Sequence, residues 1–119
     1  MWGFTSNGAV VVNVIDATNN TIAATAPFSL SLNRWTHITQ TFSITNGNRL
    51  YIDGTLVSNA TAATGHSVGP YTIIGASPAG TMSCPSGTIL PGQFFGMIDE
   101  YRVFGVELAS ASVCQLANM

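Results

Sequence analysis

Apolar positions in this chain fall in short runs, many alternating with polar ones at a period of two, and most runs end at a turn signal. Ala9 to Ile15 is rich in valine and follows Asn7-Gly8. Thr21 to Thr25 follows Asn19-Asn20, and Pro27 is expected to break that run. Trp35 to Ile44 reads as a long strand. Ile38, Gln40, Phe42 and Ile44 share one face; Trp35, His37, Thr39 and Thr41 share the other. After the Asn46-Gly47 turn, Leu50 and Ile52 alternate with Arg49 and Tyr51.

Asp53-Gly54 is a strong hairpin signal, because glycine supplies a positive φ and aspartate tolerates one. A two-residue loop there sets Ile52 opposite Thr55 and Leu50 opposite Val57, with Leu50, Ile52 and Val57 in the core. Tyr71 to Gly75 reads as a buried strand, and residues 76–92 as an irregular stretch rich in proline and glycine. Strand character resumes at Gln93 and runs, with a break near Gly96, to Phe104. One helix is expected, Ser110 to Ala117, with Val113 and Leu116 on one side. About eight short strands and no internal repeat predict an all-β antiparallel sandwich with one short C-terminal helix.

The length of 119 residues suits a single domain, 1–119, large enough for a real core. Only 7% of residues are charged, with Arg34, Arg49 and Arg102 as the whole basic complement and a net charge of −2. Nucleic-acid binding needs a cluster of phosphate-neutralising cations, so it is disfavoured. No apolar run is long enough to span a bilayer. Low charge with abundant Thr, Ser, Asn and Gly points to an extracellular β protein. Two sequons, at Asn19 and Asn59, agree with that and are expected in loops. Met1-Trp2-Gly3-Phe4 does not read as a signal peptide. Cys84 and Cys114 permit one intramolecular disulfide, or two buried free thiols.

Four segments occur in order: Trp35-Thr36-His37, Leu50-Tyr51-Ile52-Asp53-Gly54, Ile73-Ile74-Gly75 and Phe95-Gly96-Met97-Ile98-Asp99-Glu100. Over roughly residues 33–117 this set resembles the laminin-G-like (concanavalin A-like) jelly-roll family. The resemblance implies a jelly roll, and the cysteine positions look like a subset of that family in which Cys84 in the long loop is tied to Cys114 on the last helix. It also implies that the family's first strands are missing here, so the chain is expected to continue upstream or to be completed by a neighbouring chain. Members that carry calcium make Asp99 a candidate ligand for a structural Ca2+, beside a purely structural role.

Catalytic chemistry has little to build on. Asp99 and Glu100 are adjacent strand residues by this reading and point to opposite faces, so they cannot flank one glycosidic bond. The carboxylate that related jelly-roll glycosidases place earlier on that strand is absent. His37 reads as structural, and His66 has no acid nearby in sequence. Tyr51, Tyr101, Trp2 and Trp35 read mainly as core, with Trp2 a loose candidate for sugar stacking. The resulting expectation is a non-enzymatic extracellular recognition or adhesion module that binds a glycan or an extracellular protein through rim loops. The alternative is a structural subunit of an extracellular assembly or filament, completed by self-association with neighbouring chains. Asp99, between the expected core residues Ile98 and Val103, is expected to matter more for stability than Glu107, an expected turn residue.

Overall fold

The computed structural model describes residues 1–62, 64–65, 73–75 and 87–119. Within them, two three-stranded antiparallel sheets pack face to face. The first contains β1 (Trp2–Phe4), β2 (Ala9–Ile15) and β3 (Thr21–Ser29) in the order β1-β2-β3. The second contains β4 (Ile38–Ser43), β5 (Gly47–Ile52) and β6 (Thr55–Ala60) in the order β4-β5-β6. A single helix, α1 (Ser110–Ala117), follows the strands among the described residues.

The core lies between the sheets. Val10 and Val12 of β2 and Ala24 and Ala26 of β3 meet Leu50 and Ile52 of β5, with Phe4, Leu30, Ile38 and Val57 packed around them. Alternation explains the choice. Every second residue of β5 points inward, so Asn48 joins Leu50 and Ile52 on the buried face. Tyr51 is buried on the opposite face, and its hydroxyl lies 3.0 Å from Ser110 Oγ at the start of α1. The fully buried Val113 anchors the helix itself.

Several sequence expectations need correction. Pro27 does not end its strand: β3 continues to Ser29 through a bulge. The register steps from Ala9↔Ser29 to Val11↔Thr25, so the extra residues of β3, Pro27 among them, fall where no ladder bond is required. The Asp53-Gly54 hairpin forms as expected, with Ile52 opposite Thr55 and both turn residues at positive φ (48° and 77°). A second bulge then places Leu50 opposite Ser58 rather than Val57, and Val57 still packs against the core. The long strand expected from Trp35 starts only at Ile38, because His37 is drawn into the Asp53 turn.

The largest correction concerns residues 93–104. The run does not form a ladder strand. Phe95, Met97 and Val103 are 89%, 76% and 77% exposed, and Ile98, Tyr101 and Phe104 are exposed as well. Among the described residues no strand pairs with residues 95–106. A strand pattern can be satisfied only where a neighbouring ladder exists, and among the described residues none is supplied. Ile73 and Ile74, expected in a buried strand, are likewise exposed, while Tyr71 and Thr72 lie outside the described residues.

Residues 87–94 instead lie against the first sheet. Leu90 N donates to Phe4 O at 2.9 Å, and the Phe94 ring stacks on Phe4 with centroids 5.8 Å apart. Ile89 lies so close to Gly3 that a β-carbon there would come within 2.3 Å of it.

Candidate functional site

The β1–β2 turn is built by Thr5 and Asn7. Gly8 N donates to Thr5 O at 2.9 Å, Thr5 N donates to Ala9 O at 2.9 Å, and the Thr5 hydroxyl meets Asn7 Oδ1. Ser29 Oγ donates to Asn7 O at 2.5 Å, which ties the turn to the end of β3. The Pro27 bulge bends β3 away beside this turn, and residues 88–90 close the third side. The resulting depression has a volume of about 690 Å³. Thr5, Asn7, Thr25 and Thr88 line it with hydroxyls and an amide, and Pro27 and Leu90 give it apolar surface. No charged side chain lines it among the described residues. Such a surface can donate and accept hydrogen bonds at any ordinary pH, but it supplies no acid, base or strong nucleophile. Its volume lies in the range of small-ligand clefts.

A polar chain joins the two sheets farther along β2, toward the Asp16 turn. Trp2 Nε1 donates to Gln40 Oε1, Gln40 Nε2 donates to Asn48 Oδ1 at 2.6 Å, and Asn48 Nδ2 donates to the Val12 and Ile22 carbonyls at 2.8 and 2.9 Å. Trp2 is therefore a strut between the sheets, and the groove lining does not include it. On the far side of β5, Asp53 Oδ1 accepts from His37 N at 2.9 Å and Oδ2 pairs with the Arg34 guanidinium. This gives Asp53 the turn role expected of it.

The expected site residues scatter. Asn19 sits at positive φ in the exposed β2–β3 turn, whose carbonyls and amides are organised by Asp16. Asn59 is exposed on strand β6, not in a loop as expected. Cys114 is exposed on α1, while Cys84 and His66 lie outside the described residues. Asp99 is exposed, with Oδ1 accepting from Glu100 N at 2.8 Å, and the Glu100 carboxylate is taken up by Arg102. Among the described residues no group of three His, Cys, Asp or Glu side chains is placed to hold a metal ion.

Glu107, expected to be an exposed turn residue, is half-buried beside β4 and β5. Its Oε2 accepts from Asn46 Nδ2 at 2.8 Å. That bond, with further help from Ser43 and the nearby Arg49 charge, holds its carboxyl below the usual glutamate range. Asp16 is also lowered, chiefly by the Asn20 amide and then by Thr18. The expected ranking of the two acids therefore reverses. Glu107→Ala should cost about 0.5–1.5 kcal/mol by removing the part-buried bond to Asn46, whereas exposed Asp99→Ala should stay within about 0.5 kcal/mol. Both depressed carboxyls favour the folded state above their unfolded pKa and lose that contribution as pH falls through the lower folded value. Urea midpoints should thus be flat near neutrality and fall below the ordinary carboxylate range, with a shallower fall in Glu107→Gln. Equal midpoints for the Glu107 and Asp99 variants would refute the assignment.

The sequence profile of the Laminin_G_3 family, described as the concanavalin A-like lectin/glucanases superfamily, matches residues 1–114. The chain belongs to this family. The two antiparallel sheets and terminal helix agree with its jelly-roll architecture. Among solved structures, the chain is similar to a crystal structure of an S-layer domain-containing protein (residues 221–444) from Clostridium thermocellum ATCC 27405, at 24% identity and a TM-score of 0.58. The likeness covers 92% of this chain and 52% of that one, so the chain spans about half of that structure's length. It supports the fold. No curated protein matches the chain.

The groove and the Asn48 bridge were not singled out from the sequence. Asn48 had a readable signal: it is the polar residue in phase with Leu50 and Ile52 on an inward face. The groove had none, since it depends on the two-sided geometry of the Pro27 bulge and on the approach of residues 88–90.

Proposed function

We propose that this chain is a non-enzymatic extracellular recognition module that binds a glycan or a protein through rim loops, with the groove between the β1–β2 turn, the Pro27 bulge and residues 88–90 as its contact surface. One observation carries this reading: the groove lining sets hydroxyl and amide groups within a larger apolar surface and bears no charge among the described residues. A neutral sugar ring presents the matching chemistry, with hydroxyls at its edge and C–H groups on its faces. Membership of a superfamily whose description includes lectins supports the same direction.

A neutral-glycan array, followed by titration of any hit, tests the reading. Thr25→Trp fills the groove from an exposed strand position and should weaken a true ligand at least about tenfold, equivalent to roughly 1.4 kcal/mol. Unchanged affinity in that variant would remove the groove from the interaction, and glycan hydrolysis by the wild type would overturn the non-enzymatic reading. An extracellular setting also supports the proposed Cys84–Cys114 bridge and glycosylation at Asn19 and Asn59. Intact mass after alkylation without reductant, from a glycosylating host, checks both.

A second reading, a structural subunit of an extracellular assembly, is favoured by the exposed apolar segment 94–106. The S-layer name of the similar solved structure points the same way.

A further inference from the structure

We infer that Asn46-Gly47 is a modification site, an asparaginyl-glycyl bond that converts to aspartate and isoaspartate with loss of ammonia. The clamp that Glu107 and Arg49 close on the Asn46 carboxamide holds the conversion back. The inference is independent of the groove and of the assembly reading.

The chain has two Asn-Gly pairs, Asn7-Gly8 and Asn46-Gly47. Glycine carries no side chain to shield its backbone nitrogen, so an asparagine before it is open to attack from the main chain. In the reaction Gly47 N bonds to Asn46 Cγ and the Cγ–Nδ2 bond breaks. Nδ2 leaves as ammonia, carrying the proton that Gly47 N gives up. Water then opens the resulting cyclic imide at one of its two carbonyls. One opening gives aspartate; the other gives isoaspartate, whose main chain runs through the side-chain carboxyl. The balance is one water consumed and one ammonia released, with no change of oxidation state.

The carboxamide must turn to bring Cγ onto Gly47 N, and here both its ends are held. Nδ2 donates to Glu107 Oε2 at 2.8 Å, and Oδ1 accepts from Arg49 Nη2 at 3.1 Å. The Asn46 backbone N donates to Ser43 Oγ at 3.0 Å, and Gly47 is buried against Ala60 O. The Asn7 carboxamide, by contrast, is exposed and meets the Thr5 hydroxyl of its own turn. Conversion at Asn46 undoes the clamp. It replaces the donor facing Glu107 with a carboxylate oxygen, so two anions meet where a hydrogen bond stood. Isoaspartate also lengthens the main chain of the β4–β5 turn beside the tightly packed Gly47. The segment leading into α1 then loses its tie to the second sheet, and the change is one-way.

Peptide mass spectrometry of the full chain after timed incubation at neutral pH reads both pairs at once. In the folded wild type Asn46 should convert more slowly than in urea, where the clamp is gone. Glu107→Ala should raise the folded rate at Asn46 about two- to tenfold, the factor by which losing one part-buried hydrogen bond frees the carboxamide, and leave Asn7 unchanged. Glu107→Gln keeps an acceptor for Nδ2 and should stay near the wild-type rate. Val10→Ala weakens the core but leaves the clamp intact, so it should not accelerate Asn46 as Glu107→Ala does. Asn46→Asp supplies one product directly and should melt below the wild type. No conversion at Asn46 in urea would overturn the site. Folded Asn46 that converts as fast as in urea, or Glu107→Ala without acceleration, would overturn the clamp. Equal acceleration by Val10→Ala would reduce it to global unfolding, and a wild-type melting temperature in Asn46→Asp would overturn the release.

Discussion

Replacing Asn48 with alanine should lower the unfolding free energy by about 2–4 kcal/mol, because buried groups on both sheets lose a partner at once. The Asn48 amide donates to the Val12 and Ile22 carbonyls and accepts from Gln40, so one side chain serves β2, the end of β3 next to the Asp16 turn, and β4. It is fully buried, so water cannot take its place without opening the sandwich. For a domain of this size the melting temperature should fall by about 10 °C. Asn48→Asp is the sharper comparison. It keeps the shape and the acceptor for Gln40 but replaces the donor facing two carbonyls with an oxygen, and it should be at least as damaging as alanine. Gln40→Ala should cost less, since Gln40 is only half-buried and the two carbonyl bonds survive. Urea unfolding of the three variants checks the order. A harmless Asn48→Ala would mean that this network does not join the sheets.

The fold was legible in the sequence wherever a local pattern and a local turn sufficed. β2 and α1 have the bounds their residues announce, and Asp53-Gly54 makes its hairpin because both residues accept positive φ. What was illegible depended on tertiary partners. Pro27 reads as a breaker in one dimension and sits comfortably in a bulge in three. Residues 93–104 read as a core strand because apolar residues flank the acidic pair, yet a strand is defined by its neighbour, and among the described residues no ladder pairs with 95–104. The same reason misplaced Asp99 and Glu107. Burial was assigned to Asp99 from its apolar flanks, whereas Glu107 is drawn in by Asn46, some sixty residues earlier in the chain. The candidate site was least legible of all. Its lining comes from β1–β2, β3 and residues 88–90, and threonine, serine and asparagine abound elsewhere in the chain without lining this groove.

Gly47→Ala should be among the most destabilising single-methyl additions to this chain. Gly47 opens β5 at a φ of 74°, in the left-handed region where a β-carbon costs about 1–2 kcal/mol. A β-carbon there would also lie 2.3 Å from Ala60 O, a backbone atom at the end of β6 that cannot swing aside as a side chain would. Relieving that contact means separating β5 from β6 at the Asn48↔Ala60 pair, next to the Asn48 bridge, and overpacking of this kind adds about 1–3 kcal/mol. Gly8 is the control. Its φ is 79°, so the backbone strain is the same, but its β-carbon would meet only Ser29 side-chain atoms at an ordinary 3.7 Å. Gly8→Ala should therefore show the strain alone, and Gly47→Ala the strain plus the clash, about twice the loss or more. The excess should also couple to the sheet bridge. In Asn48→Ala the end of β5 is already loosened, so adding Gly47→Ala should cost less than the sum of the two single losses. Strict additivity, or equal losses at Gly8 and Gly47, would show that the start of β5 is free to move independently of β6 and of the bridge.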